Sequence, residues 1–364
     1  MRFIHTADWQ LGLKLRYLNP ERAAQLRLLR FQTVRAIGRL AQERQVDAVL
    51  VAGDVLDDNA LGRDSLQQAS DALQAFGKIP VGLLPGNHDA ASADSALARL
   101  DLPENVRLLF DRTALAFGES LVYPCPLARR HEMDDPTEWL PERETGEPIR
   151  IAVAHGGVID FSNSADSETP NLINAKRVIE KGFDYLALGD WHSTFQFGPR
   201  VWYPGAHEAT RFKEVDPGAV LIVEIDEPGA LPRVERVSVA QTHWLTLTLE
   251  LSDDTQIDEL RTRLEGLNER SQTLVKLVVS GNLSLGASDV LEHLITEYSE
   301  RLAYLRCDLS GLKVEPDESD LASLRAEGFM AQALEALRSG DDPADTDAIR
   351  LMYRLQQDAA HASD

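Results

Sequence analysis

The 364-residue sequence predicts an α/β fold, on three observations. Through the first 190 residues, short apolar runs that end in polar loop residues alternate with longer amphipathic stretches, the pattern of helices layered on a sheet. The composition is that of an ordinary globular chain, with 43% apolar and 26% charged residues, 23 Gly and 17 Pro. No apolar stretch reaches the roughly 18 residues of a membrane helix, and the opening MRFIHTADWQ has no apolar leader core. The two cysteines, Cys125 and Cys307, form no CxxC, which excludes a disulfide framework and a thiolate zinc site. A cytoplasmic protein with no membrane segment is the expectation.

Taken in order, strands are read at Phe3 to Thr6, Ala48 to Ala52, Val81 to Leu84, Ile151 to Ala154 and Tyr185 to Leu188. Asn19 caps a helix with Pro20 at its first position, running toward Arg44 with Leu26, Leu29, Val34, Ile37 and Leu40 at three- and four-residue steps. Ser65 to Phe76 and Asn171 to Lys181 read as further helices, stopped by Gly77 and Gly182. Residues 131–148 are polar and proline-containing, an excursion from the core. Val201 to Val239 is β-rich, with turns at Pro217-Gly218 and Pro228-Gly229. Residues 243–310 read strand, helix (Ile257 to Leu267), strand (Thr273 to Ser280), helix (Ala287 to Tyr298), strand (Leu302 to Asp308). Ser319 to Leu337 and Thr346 to Asp358 close the chain as two amphipathic helices, whose apolar residues are read as core more than as a partner surface. Three regions result: 1–240, an α+β unit over 241–318, and a helical segment over 319–364.

The net charge of −22 lies disproportionately in the last third, which carries −13 of it after residue 240 and argues against a polyanion-binding tail. The first 45 residues reverse the sign, with nine basic side chains (Arg2, Lys14, Arg16, Arg22, Arg27, Arg30, Arg35, Arg39, Arg44) against Asp8, Glu21 and Glu43. These are read as a solvated helix face rather than a binding patch.

Chemistry concentrates where the strands end. Asp8 and Gln10 follow the first, Asp54 the second in AGDVLDD, and Asn87, His88 and Asp89 the third in PGNHD. His155 follows the fourth in VAHGG, and Asp190 and His192 the fifth in LGDWH. Ligands of α/β sheets collect beyond the carboxyl ends of strands, so these side chains converge in one cleft. Any one of them has a bland reading: Asp after a strand is often a cap, and an isolated His is often a structural hydrogen-bonded residue. All five blocks in this order do not. Carboxylate, amide and imidazole donors without thiolate suit Mn²⁺, Fe²⁺ or Zn²⁺. A central carboxylate such as Asp54 can bridge two divalent ions about 3.5 to 4 Å apart, which then acidify a shared water and neutralise a phosphate ester.

The blocks DWQLG, GDVLD, GNHD, HGG and GDWH resemble the signatures of calcineurin-like metallophosphoesterases. HTADWQLG with the later WYPGAHEATRF is most similar to the SbcD-like DNA-repair exonuclease branch, and the motifs span residues 1–225. The resemblance implies a four-layer α/β/β/α sandwich with a small α+β capping domain and a C-terminal helical tail. It implies one metal held by Asp8, Gln10, Asp54 and His192 and a second by Asp54, Asn87, His155 and Asp190. His88 would contact the scissile phosphate and help protonate the leaving oxygen, and Asp89 would orient His88 or serve as a cap. The implied activity is DNA phosphodiester hydrolysis, exonucleolytic or endonucleolytic, by a hydroxide bridging the ions. The implied partners are DNA, an SbcC-like coiled-coil ATPase docked on the C-terminal helices, and a second copy of the chain. With −22 overall, most duplex binding is expected to come from the partner.

Two positions depart from the family's DNA nucleases, which usually carry His where this chain has Gln10, and His-x-His where it has Asp190-Trp191-His192. One metal loses an imidazole and the other gains a carboxylate, so the site favours harder cations such as Mn²⁺. His207 in PGAHEA is a third departure, read as an exposed loop residue. The alternatives are a phosphomonoesterase or nucleotide phosphodiesterase of the same fold, and a non-catalytic scaffold for an ATPase.

Overall fold

The computed structural model describes residues 1–92, 94–159, 170–251, 255–324, 328–340 and 342–361. The chain divides into two compact units, Met1–Thr242 and His243–Asp364. Among the described residues no helix is long and apolar enough to cross a membrane.

In the first unit the strands are β1 (Arg2–Thr6), β2 (Ala48–Ala52), β3 (Val81–Leu84), β4 (Val106–Leu108), β5 (Leu115–Phe117), β6 (Ser120–Cys125) and β7 (Arg150–His155). They continue with β8 (Gly157–Val158), β9 (Leu172–Ile173), β10 (Tyr185–Gly189), β11 (Phe195–Gln196), β12 (Val201–Tyr203), β13 (Ala219–Glu224) and β14 (Arg233–Ser238). The helices are α1 (Pro20–Glu43), α2 (Arg63–Leu73) and α3 (Ala175–Glu180). One six-stranded sheet has the order β14-β13-β1-β2-β3-β4 and the other β11-β12-β10-β7-β6-β5. The centre of each is parallel: β1 to β4 in the first, and β6, β7, β10 and β12 in the second.

Strand periodicity of two explains the layering. Ile4, Val49 and Val51 face a core with Phe31, Val34 and Ile37 of α1, while Phe3, Ala48 and Leu50 face the opposite way. There they meet Ile151, Val153, Tyr185 and Ala187 of the second sheet. The alternate residues Ala152, Ala154, Leu186 and Leu188 pack outward against Ala175 and Val178 of α3. The result is the four-layer α/β/β/α sandwich, with all central strands apolar on both faces as buried parallel strands must be.

The start of α1 is set as the sequence indicates: Asn19 Oδ1 accepts from Arg22 N at 2.9 Å, with Pro20 first in the helix. The segment predicted as a helix from Asn171 begins only at Ala175. Asn171 has φ +59°, a conformation that cannot enter a helix, and its side chain clamps the loop through Glu132 N and Arg130 O. Leu172–Ile173 pairs instead with Gly157–Val158, and Asn174 is the cap. Residues 131–148 contain no helix or strand but are not all peripheral, because Leu140 is buried in the outer core with Trp139 packed beside it. Arg30 is also a correction to the solvated-face reading: it is 3% exposed, and its guanidinium donates to the carbonyls of Trp9, Glu208 and Ala209.

The second unit runs β15 (His243–Leu251), α4 (Thr255–Glu265), β16 (Thr273–Leu283), α5 (Leu285–Arg301), β17 (Tyr304–Val314), with all three strands parallel. Ile257, Leu260, Leu291 and Leu294 of its two helices cover Val275, Leu277 and Val279. Then come α6 (Glu318–Ser323), α7 (Phe329–Arg338) and α8 (Pro343–His361). The helix expected over Ser319 to Leu337 is thus two, because Leu324 turns extended and Gly328 at φ +60° starts a new one. Leu334 and Ile349 are buried with Tyr353, Leu285 and Leu324, whereas Leu351 and Leu355 are 58% and 60% exposed. The apolar residues of these helices therefore divide between core and surface.

Candidate metal centre

All nine residues named at the strand ends lie just beyond the carboxyl ends of β1, β2, β3 and β10, or at the last residue of β7 in the case of His155. The loop after β1 runs in step with the loop after β2: Asp8 N donates to Gly53 O, Gln10 N to Asp54 O and Leu11 N to Val55 O. That register places Asp8 and Gln10 beside Asp54. Sharp turns make it possible, since Asp8, Gln10, Asp54 and Asp190 all have positive φ, at +54°, +41°, +52° and +96°. Each left-handed non-glycine residue costs about 1 kcal/mol or more, and such residues gather at functional sites. Two glycines allow the close approach. A Cβ on Gly86 would lie 2.2 Å from Asp54 Oδ1, and one on Gly189 would lie 1.9 Å from the Ala52 carbonyl oxygen.

The donor atoms fall into two groups that meet at Asp54. In one, His192 Nε2 is 3.3 Å from Gln10 Nε2 and 3.8 Å from Asp8 Oδ1. In the other, His155 Nε2 is 3.4 Å from Asp54 Oδ1 and 3.8 Å from Asp190 Oδ1, and Asn87 Nδ2 donates to Asp190 Oδ1 at 3.3 Å. Ligand atoms of Asp8, Asp54 and His155 all lie within 4.8 Å of one another. Both imidazoles are turned so that Nε2 faces this cluster. His155 Nδ1 donates to Ala52 O at 2.8 Å, so Nε2 is the ring nitrogen that can ligate once its proton is displaced. His192 Nδ1 sits 2.9 Å from Glu214 Oε1 and 2.9 Å from Thr210 Oγ1.

Charge and hydrogen bonding test whether divalent cations fit. Asp8 and Asp54 are 0% and 2% exposed, and among the described residues no Lys or Arg pairs with Asp8, Asp54 or Asp190. Buried carboxylates normally require a cation. In addition, His155 Nε2 and Asn87 Oδ1 are buried without a hydrogen-bond partner. A ring nitrogen and an amide oxygen without partners, among carboxylates that no Lys or Arg pairs with, are the environment a metal completes, and the residues fit the group. The titration behaviour agrees. Burial lifts the Asp8 carboxyl above the usual range, with Asp54 and Asp190 adding to the rise against the pull of His192 and His155. Burial alone would lower His155, but the carboxylates of Asp54, Asp8 and Asp190 hold it up at about 9. For Glu214 the burial effect is outweighed by hydrogen bonds from His192 and Thr210, which keep it below the ordinary range.

His88 stands at the rim, its side chain 29% exposed. Its Nδ1 donates to the Asp57 carbonyl at 2.7 Å, leaving Nε2 toward the cluster, 3.9 Å from Asp54 Oδ2. Asp89 does not orient it. The Asp89 carboxylate accepts from Leu56 N and Gly86 N, at 2.9 and 2.7 Å, and so ties the loops after β2 and β3 together. His207 is a correction as well: it is fully buried, 3.1 Å from the Arg30 carbonyl through Nε2 and tilted against Trp9. The YPGAHE segment passes under the first block instead of over the surface.

Three contributors carried no distinct signal in the sequence. Glu214 orients His192, Asp57 anchors His88 through its backbone, and Tyr203 donates its hydroxyl to Gly156 O at 2.9 Å, pinning the loop that bears His155. Asp57 stands three residues beyond Asp54, within reach of a search for carboxylates near the ligand blocks, whereas Glu214 lies 22 residues beyond His192 and outside one.

Comparison with known proteins is consistent with this geometry. Residues 1–223 match a family model described as calcineurin-like phosphoesterase. The chain is similar to the SbcD component of the nuclease SbcCD of Bacillus subtilis (strain 168), 27% identical over 233 residues, which is 53% of this chain and 57% of that protein. The match therefore spans little more than half of the relative's length.

Proposed function

Because this chain belongs to the calcineurin-like phosphoesterase family, we propose that it hydrolyses DNA phosphodiester bonds with two divalent cations, Mn²⁺ foremost, held between its two sheets' strand ends. Membership makes it a metal-dependent phosphoesterase. The observation that carries the finer reading is the cluster of buried carboxylates with no Lys or Arg partner, facing the unpaired His155 Nε2 and Asn87 Oδ1. Asp8, Gln10, Asp54 and His192 would hold one cation, and Asp54, Asn87, His155 and Asp190 the other. When bound, such cations polarise the phosphate ester and acidify a water. The protein's own part is to keep both imidazoles in the ligating tautomer, to hold the carboxylates by backbone donors, and to present His88. Asp190 N donates to both Asp8 oxygens at 3.2 Å, and His88 N to Asp54 Oδ1 at 2.9 Å. With Nδ1 committed to a carbonyl, His88 Nε2 is the atom that can carry a proton to a leaving oxygen.

Likeness to a component of SbcCD supports a nuclease that works with an SbcC-like coiled-coil ATPase, and the exposed Phe329, Leu351 and Leu355 of the last helices suit a protein surface. Labelled single- and double-stranded DNA, assayed with Mn²⁺ beside p-nitrophenyl phosphate, tests the reading. DNA cleavage well above monoester turnover supports it. Monoester turnover alone would make the protein a phosphomonoesterase, and fewer than two ions bound in excess Mn²⁺ would make it a scaffold.

Metal affinity should depend on pH with a defined sign. A ligating imidazole must be neutral, yet without metal His155 keeps its proton up to about pH 9. Binding therefore displaces that proton, and Kd for Mn²⁺ is expected to fall about tenfold per unit from pH 7 to about pH 9 and to level off above. At acid pH the raised Asp8 adds a second displaced proton and a steeper slope. Calorimetric titration in buffers of different ionisation enthalpy counts the protons directly.

A further inference from the structure

Two cavities open on the candidate centre, of about 490 and 670 Å³, and both are lined by Asn87 and His88. These two residues are the wall that the two arms of the groove share. The smaller arm holds Arg211, Lys213 and the indole of Trp191, which is 44% exposed between the two ligand candidates Asp190 and His192. The larger arm holds Arg16, Arg129 and Arg130. Among the described residues none of these five cations lies within ion-pair distance of a carboxylate, whereas Lys14 beside them is paired with Asp58 at 3.2 Å. A chain of net charge −22 thus keeps unpaired positive charge on both sides of its candidate centre. Cations on both flanks of one reacting phosphate suit a substrate that continues in both directions, which a phosphomonoester does not. An exposed indole at the reacting centre offers a stacking face, and a base inside a continuous duplex, covered on both faces by its neighbours, has none to give it.

We propose that Trp191 is the stacking platform for a nucleobase adjoining the scissile phosphate, so that the groove takes an unpaired strand or frayed end of nucleic acid rather than intact duplex. This inference rests on the phosphodiesterase reading above and adds its substrate class and a specificity-determining residue. Arg211 and Lys213 receive the phosphate on the Trp191 side, and Arg16, Arg129 and Arg130 those beyond His88. Stacking of this kind changes binding by about tenfold or more per base.

The test is a comparison of kcat/KM, with Mn²⁺, on a short single-stranded oligodeoxynucleotide and on versions with one abasic tetrahydrofuran at each nucleotide flanking the cleaved bond. For one of those positions the wild type is expected to lose about tenfold on removal of the base. Trp191→Ala is expected to lose about as much on the intact oligonucleotide and nothing further on the abasic one, while Trp191→Phe keeps most of the discrimination. Undiminished discrimination in Trp191→Ala overturns the stacking role while the nuclease reading stands. Equal cleavage of a relaxed, covalently closed duplex circle, which has neither an end nor an unpaired loop, overturns the requirement for an unpaired strand. Turnover of bis(p-nitrophenyl) phosphate with no cleavage of any oligonucleotide overturns both the inference and the nuclease reading.

Discussion

Asp54→Ala is expected to remove bound Mn²⁺ and phosphodiester hydrolysis together, with turnover falling by about three orders of magnitude or more. Asp54 is the donor common to both groups: its Oδ1 lies 3.4 Å from His155 Nε2, and its ligand atoms lie within 4.8 Å of those of Asp8. Loss of the shared carboxylate forfeits several kcal/mol of transition-state charge stabilisation, about a thousandfold or more in rate. The stability response separates this account from simple misfolding. Without metal the wild type sets three neighbouring carboxylates, none paired with Lys or Arg, around the protonated His155, so the two carboxylates left by the substitution still answer its charge and the metal-free melting temperature should change little. Mn²⁺ should then raise the melting temperature of the wild type, as any ligand selective for the folded state does, and leave the variant unmoved. Metal analysis, steady-state rates and melting curves with and without Mn²⁺ check all three. A variant that melts well below the metal-free wild type would mean that Asp54 holds the fold and not the cations.

Why the sequence discloses Asp54 but not its setting follows from the range of the interactions involved. Apolar runs such as Ala48–Ala52 are buried on both faces, so periodicity and length locate them, and a polar residue directly after such a run marks a strand end. Asp8, Asp54, Asn87, His155 and Asp190 are therefore legible one by one. Their grouping is not, because it depends on the turns at Asp8, Gln10, Asp54 and Asp190, where non-glycine residues take positive φ against their own preference. Local propensity also misplaces the start of α3: residues 171–174 have a helical pattern, but Asn171 is recruited to bond Glu132 and Arg130 some forty residues away. His207 and Arg30 fail for the same reason. A charged or imidazole side chain reads as exposed until the tertiary structure supplies acceptors, here the carbonyls of Trp9 and Glu208 for Arg30 and that of Arg30 for His207. The short strands β4 and β5 are stabilised by neighbours in their sheets and carry little pattern of their own.

His88→Ala should lower kcat on DNA by about 10²- to 10⁴-fold with both cations retained, the range expected when a general acid is removed. Metal retention follows from how the loop is built. The bond that links this residue to the centre, His88 N to Asp54 Oδ1, comes from the backbone and survives loss of the ring. Asp89, which fastens the same loop through Leu56 N and Gly86 N, is untouched by the substitution. The chemical signature is the leaving group. A DNA alkoxide is a strong base and needs a proton as it departs, whereas p-nitrophenolate does not, so the variant should lose about tenfold or less on bis(p-nitrophenyl) phosphate. Nor should the ring's orientation depend on the Asp57 side chain, since Nδ1 donates to the Asp57 carbonyl oxygen at 2.7 Å. Asp57→Ala is accordingly expected to keep far more activity on DNA than His88→Ala. Equal losses on the two substrates for His88→Ala, or loss of its metal, would mean that the ring supports the cluster rather than the leaving oxygen.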